Sequence, residues 1–514
     1  MENLIEWVFL ISAISGVLIY LGLVWNFNFW KKRGVKGPRP KPLYGNITGL
    51  LTFSNHMAYD IDRIYQEYKG KERFVGFFIS RQPRLLIIDP KLIREMLITN
   101  FKHFQDNDII FPVDPAKDKL VALNPFFLRG SEWKEKRAEI TPALTASRVI
   151  KASYPIMTEV CKKLSKFIES EFENPPQDGI EGKELASRYT IEVVSSTVFG
   201  IDAGAFSKGE CRIRKEGTEI LGNNSMFDVV YFFLASSFPF IQKLYYYPLI
   251  SKKTEDFFRT LMHDAVKLRE QNKDDRIDFL NYLLQLRDKK NLSDIEMAGH
   301  TLSFFLDGFE TSSVLISHVI HMLAKHKDVQ KKLREEIKSS LSEVGFLSFE
   351  KLNDLPYLEC VVNECLRLFP PGAFLSKVCT ESTEFTSSEG KQIKIEKDII
   401  SVLPIYSIHR DPEYYDNPNK FIPDRFNEEN GGAKKYKDMG VFFPFGDGPR
   451  ICLGMRFALT QSKAAIAELV LNWEMTLNKK TKPEFTADPK NFLLVTDGGV
   501  WVDYKKIHES KKLL

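Results

Sequence analysis

Cys452 is a lone thiol in a setting built for metal chemistry. It is held in Phe445-Gly446-Asp447-Gly448-Pro449-Arg450-Ile451-Cys452-Leu453-Gly454, and Met455-Arg456-Phe457-Ala458-Leu459 then reads as a helix. A cysteine at a helix N-terminus meets the positive end of the dipole and unpaired N–H groups, both of which favour thiolate. The glycines let backbone close around the sulfur, which suits a metal-bound thiolate better than an exposed nucleophile. Phe445 can lie flat against a planar cofactor, and Arg450 can neutralise an anionic edge of it. The plainer alternative, a buried structural cysteine, does not account for the surrounding pattern.

Four other constellations carry chemistry. Phe305-Leu306-Asp307-Gly308-Phe309-Glu310-Thr311-Ser312-Ser313 puts acids and a threonine inside an apolar helix. Threonine there can bond back to the i−4 carbonyl and bend the helix, and Gly308 removes bulk where a ligand could approach. Glu364 and Arg367 sit three apart on one helical face, and Phe421-Ile422-Pro423-Asp424-Arg425-Phe426 supplies a second arginine. Trp133-Lys134-Glu135-Lys136-Arg137, read as a short helix ended by Pro142, places Trp133 and Arg137 one turn apart, where both can reach one carboxylate. Lys377 follows a Pro370-Pro371 break.

The cysteine loop resembles, position by position, the haem-binding signature of the cytochrome P450 superfamily, the haem-thiolate monooxygenases. The remaining motifs follow in that family's order over essentially the whole chain, and their wording is most similar to animal microsomal members, particularly those of insects. The resemblance implies that Cys452 ligates the iron of haem b, with Phe445, Gly446, Arg450, Trp133, Arg137 and Lys377 around the cofactor. Thr311 would hold iron-bound dioxygen and ordered water, and Glu310 would help deliver protons. Glu364, Arg367 and Arg425 would form a buried triad bracing the segment before the loop. The chain departs from the family at two positions. Lys377 stands where relatives have a propionate-binding arginine, and lysine offers a point charge instead of a fork. Asp307 stands where relatives commonly have alanine; it either faces the pocket, joining the catalytic set, or turns aside into a salt bridge.

These residues need elements to hold them. A capping box at Ser293 and Glu296 opens a helix running to about Lys325, and Pro356 opens another that stops before Pro370. Residues 85–88 and 392–395 read as strands, and residues 492–495 with 500–502 read as a C-terminal hairpin. The fold class expected is mainly α with small β-sheets, the P450 fold behind an N-terminal transmembrane helix. Residues 1–30 form the anchor, 31–45 a basic and proline-rich hinge, and 46–514 one catalytic domain. The apolar run Leu4–Trp25 would reach about 33 Å as a helix, enough for a bilayer core. Lys31, Lys32, Arg33 and Lys36 follow it, which puts the body on the cytosolic side; the resemblance implies the endoplasmic reticulum membrane, crossed once. The sequon Asn46-Ile47-Thr48 is then inert.

The net charge of +4 over 514 residues gives no reason to expect a nucleic-acid partner. Six irregularly spaced cysteines suit a reducing cytosol. No Gly-rich dinucleotide fingerprint follows a strand, so electrons must come from a partner. By resemblance this is the NADPH-cytochrome P450 reductase, with cytochrome b5 a possible second donor; Lys134, Lys136, Lys434, Lys435 and Lys437 form either a docking face or a solvated one. The implied reaction inserts one atom of dioxygen into a lipophilic small molecule. Phe111, Phe126, Phe304, Phe374, Leu375 and Leu494 are the candidate substrate contacts, although many of the forty phenylalanines simply fill a core. Two rival classes are an isomerase or lyase on the same fold, which needs no acid–threonine pair, and a haem-binding sensor or carrier, for which the anchor is surplus.

Overall fold

The computed structural model describes residues 2–108, 113–114, 116–171, 178–221, 225–238, 240–272, 276–343, 345 and 347–507. The chain is mainly helical with small sheets and separates into two compact units.

The smaller unit comprises residues 1–112, 224–247 and 374–408. Its first helix is Glu2–Val24, within which Ile5–Val24 has mean hydropathy 2.3 and no buried share. An apolar, exposed helix of that length fits a membrane anchor; near its C-terminal end Arg81 donates to the Gly22 carbonyl at 3.0 Å. The chain just after the apolar helix packs against the sheet of this unit. Trp30 is 4% exposed, and its indole N–H donates to the Phe77 carbonyl at 3.2 Å. Its ring lies where a Cβ on Gly76 would sit, Cγ only 2.2 Å away, so glycine is required there. Strand Phe74–Ile79 pairs antiparallel with Gln82–Ile87, which pairs parallel with Ile400–Leu403. Leu375–Val378 and then Asp106–Asn107 complete this five-stranded sheet. The Asn46 side chain of the sequon is buried, accepts from Phe78 N at 2.8 Å and donates to the Arg39 carbonyl at 3.1 Å, a local reason for the sequon to be inert.

The larger unit, residues 113–223, 248–373 and 409–514, is organised around the central helix Asp294–Lys325, buried along most of its length. At 1.5 Å per residue its 32 residues span about 48 Å. The Ser293–Glu296 capping box forms as expected. Helix Gly182–Val198, also mostly buried, packs along it, and so does Met455–Asn472, the cysteine helix. The helix Pro356–Leu368 starts on its proline and stops before Pro370.

Two expectations need correction. Residues 492–495 are not a strand. Trp501–Lys506 pairs instead with Trp473–Leu477 and with Ile180–Glu181, because distant strands offer a longer ladder than the local turn does. The Trp133–Arg137 segment belongs to a helix Gly130–Thr145 with Pro142 inside it. Burial of Ile140, Ala143 and Leu144 carries the helix past the one hydrogen bond that proline removes.

Candidate active site

The cysteine loop turns on Gly446 and Gly448, whose φ values of 72° and 67° are left-handed and costly for other residues. This brings Cys452 N to the Phe445 carbonyl at 2.9 Å. Gly454 caps the cysteine helix, and the N–H groups of Gly454 and Met455 point at the sulfur. Cys452 is exposed. The expected lowering of the thiol pKa is not what the fold produces. Desolvation pushes Cys452 up to about 11 and Asp307 adds to the rise, against the two N–H groups and Arg137. A coordinated cation reverses that balance, since a metal-bound thiol is deprotonated outright.

On the far side of the loop, Arg137 donates to the Ile451 carbonyl at 2.7 Å. Arg450 donates to the carbonyls of Pro125 at 3.0 Å and Leu128 at 2.8 Å, and its guanidinium lies 4.1 Å from the Trp133 ring centre. Three of the residues expected around a cofactor, Trp133, Arg137 and Arg450, are therefore brought together, and both arginines also clamp backbone that shapes the loop. Lys136, offered as part of a docking face, is instead held by Glu296 at 2.7 Å and Glu139 at 3.1 Å. Lys134, Lys434, Lys435 and Lys437 are exposed.

On the central helix Asp307 is exposed and Thr311 partly exposed, although Phe305, Leu306 and Phe309 beside them are buried. The Asp307 carboxylate lies close enough to Cys452 for its charge to raise the thiol pKa. Thr311 donates its hydroxyl to the Asp307 carbonyl at 2.8 Å, the back-bond its position predicts. Asp307 does not turn aside into an ion pair among the described residues: Asn124 Nδ2 lies 3.2 Å from both carboxylate oxygens. Asn124 is oriented by its own Oδ1, which accepts from Phe126 N at 2.8 Å. Desolvation pushes the Asp307 carboxyl up to about 6, with the Asn124 hydrogen bond working the other way.

Glu310, 3% exposed, pairs through Oε1 with Lys183 Nζ at 2.8 Å; its Oε2 has no hydrogen-bond partner among the described residues. Gly308 has a different reason from the one its position suggests. Val194 of the helix Gly182–Val198 lies 3.3 Å from where a Cβ would be, so glycine serves close helix packing. Its carbonyl accepts from Gln461 on the cysteine helix at 2.9 Å, and Gln461 also donates to Ser312 Oγ at 2.9 Å. One amide thus ties the cysteine helix to the central helix. Asn124, Lys183 and Gln461 carry no signal in the sequence, being 183, 127 and 153 residues from the groups they meet.

The triad forms. Arg367 grips Glu364 with two bonds, 2.7 and 2.8 Å, and Arg425 Nε approaches at 3.4 Å. Glu364 also accepts from Ile422 N at 2.9 Å, while Arg367 donates to the His409 and Pro418 carbonyls at 2.7 and 2.8 Å. Glu364 and Arg367 are wholly buried. His409, kept neutral because desolvation and then Arg367 press it down to about 3, accepts from Phe443 N at 3.1 Å, two residues before Phe445. Glu364 is in this way connected to the start of the cysteine loop.

The remaining candidates divide. Lys377, Phe374 and Leu375 belong to the smaller unit, where Lys377 is buried and donates to Asn107 Oδ1 at 2.8 Å. Phe304 and Leu494 are corrected to core positions. Phe304 stacks on Phe279 at 4.8 Å and meets Phe457 at 5.1 Å. Leu494 is fully buried, its N donating to the Pro371 carbonyl. Phe126 is exposed, and Phe111 lies outside the described residues.

These residues fit a haem. The thiol is exposed, backbone N–H groups support it, and among the described residues no base is hydrogen-bonded to it that would make it a free nucleophile. Among the described residues no three His, Cys, Asp or Glu side chains converge on a metal position; Cys452 is the residue that would hold a haem iron. The comparisons with known proteins agree. The family model for cytochrome P450 matches residues 35–501. The chain is similar to probable cytochrome P450 28a5 of Drosophila melanogaster, 41% identical over 97% of this chain and 99% of that protein. Similarity to probable cytochrome P450 28d1 of the same species is 40% over 96% and 98%, and to cytochrome P450 9e2 of Blattella germanica 30% over 98% of both chains. The chain belongs to the cytochrome P450 family, haem-thiolate monooxygenases, and is an insect-type member.

Proposed function

We propose that this chain is a microsomal monooxygenase that hydroxylates lipophilic small molecules, drawing electrons from NADPH through the membrane-bound cytochrome P450 reductase, with cytochrome b5 as an auxiliary donor. The observation that supports the reading is that the exposed Cys452 thiol and the exposed Asp307, on the helix that carries Thr311, lie close enough for their charges to interact. Haem held at Cys452 supplies dioxygen activation and the oxidising power. This chain's part is to bind substrate, exclude water and handle protons. Thr311 presents its hydroxyl on the cavity. Glu310, one residue away, is joined by Lys183 to the outside of the core, since Lys183 is 20% exposed and Glu310 4%. Such a pair can pass protons inward, a role for which an isomerase or lyase has no use. The N-terminal helix holds the body at the cytosolic face of the endoplasmic reticulum, within reach of a membrane-bound reductase, and the exposed lysines 134, 434, 435 and 437 suit an acidic donor.

The test is reconstitution with reductase and a panel of lipophiles, measuring NADPH consumption and oxygenated product. Product dependent on both NADPH and reductase is expected. Cys452→Ser should abolish it, together with the strongly red-shifted Soret band of the reduced carbon monoxide complex. Turnover without NADPH would assign the chain to the isomerase class instead.

A further inference from the structure

The central helix spends an acid where the cavity's other needs do not require one. Asp307 is flanked by buried Phe305, Leu306 and Phe309, yet its own side chain reaches open space. The hydrogen bond it receives is from a neutral amide. Because Asn124 Oδ1 is tied to Phe126 N, the Asn124 amide must aim its N–H at Asp307, and one Nδ2 shared between two carboxylate oxygens at 3.2 Å leaves most of their lone pairs directed elsewhere. No cation among the described residues forms an ion pair with it. Lys183 is committed to Glu310 at 2.8 Å, and Arg137 to the Ile451 carbonyl behind the cysteine.

A carboxylate among apolar side chains that is met only by a neutral amide interacts favourably with whatever brings a cation to it. We infer that the cavity selects lipophiles carrying a cationic nitrogen, with the Asp307 carboxylate as the anchor and Asn124 as the residue that positions it. This rests on the monooxygenase reading only in taking the Cys452 cavity as the substrate site. Desolvation raises the Asp307 carboxyl only to about 6, so it remains largely ionised at neutral pH and available to a cation.

A quaternary ammonium tests this cleanly, because it cannot ligate iron and keeps its charge at every pH. The holoenzyme is titrated with 4-phenylbutyl-trimethylammonium and with its uncharged tert-butyl isostere, following the Soret shift and confirming by equilibrium dialysis. Close opposite charges shielded from water contribute enough that the ammonium should bind at least about tenfold tighter. Asp307→Asn, nearly the same shape without charge, should bring the two ligands within about twofold while haem content holds. Asp307→Glu should keep the preference. If Asp307→Asn fails to take up haem, Asp307→Ser carries the same comparison. Equal binding of the two ligands by the wild-type protein overturns the inference, and so does a preference that survives Asp307→Asn. Binding is read without turnover, so either failure leaves the monooxygenase reading intact. An intact preference with no NADPH-dependent product from any ligand would sink that reading alone.

Discussion

Glu364→Ala should be among the most damaging single changes outside the cysteine loop. The carboxylate is wholly buried and accepts from Arg367 twice, at 2.7 and 2.8 Å, and from Ile422 N at 2.9 Å, with Arg425 at 3.4 Å. Removing it leaves two guanidiniums in the core with no anion. Breaking a buried pair from one side costs about 3–5 kcal/mol, against a total stability of about 5–15 kcal/mol for a folded protein. Arg367 keeps its bonds to the His409 and Pro418 carbonyls, which holds the loss near the lower end. Arg425→Met removes a longer contact and leaves the Glu364–Arg367 pair whole, so about 1–2 kcal/mol is expected. Urea titration followed both by far-UV dichroism and by the thiolate band of the reduced carbon monoxide complex measures both variants. Because the triad is linked through His409 to Phe443, the thiolate band should fail at lower urea than the helix signal in Glu364→Ala. A Glu364→Ala loss under about 1 kcal/mol, or one smaller than that of Arg425→Met, would refute the argument that the charges are mutually dependent.

Three further outcomes are expected. Lys183→Met strands Glu310, whose Oε2 already has no hydrogen-bond partner among the described residues; it should cost about 1–3 kcal/mol, allowing for the partial exposure of the lysine, and lower kcat while leaving substrate Kd nearly unchanged. Glu139 is buried, which works to raise its pKa, but hydrogen bonds from His300, Lys290 and Lys136 outweigh this and hold it at about 2. Its contribution, about 3 kcal/mol at most, is therefore present above pH 4.5 and lost as pH falls toward 2. Glu139→Gln should be less stable at pH 6 and show a shallower acid limb in a pH-stability scan. Protease added to intact microsomes should digest the body while Ile5–Val24 stays protected; a resistant body would place it in the lumen.

Much of the site was legible because it rests on local chemistry. Glycines around a thiol, a capping box, a proline at a helix start and an acid–threonine pair all declare themselves within ten residues, and short-range sterics and hydrogen bonds realise them in the fold. The Glu364–Arg367 pair needed only helical spacing, and the anchor only hydropathy and length. What the sequence could not decide were questions of who lies opposite whom. Asp307 had two readings until the tertiary structure brought Asn124 to it, and Lys183 and Gln461 meet Glu310 and Gly308 across separations that no pattern encodes. The same holds for the errors. Trp501–Lys506 took distant strands as partners, Gly308 proved to be a packing glycine against Val194, and Phe304 was drawn into an aromatic cluster with Phe279 and Phe457. Even the Cys452 thiol, placed at a helix N-terminus by sequence alone, has its proton affinity set by how completely the surrounding fold removes water from it. Residue type and spacing determine what a side chain is able to do; the packing of remote segments determines its solvent and its partners, and those decide which ability is used.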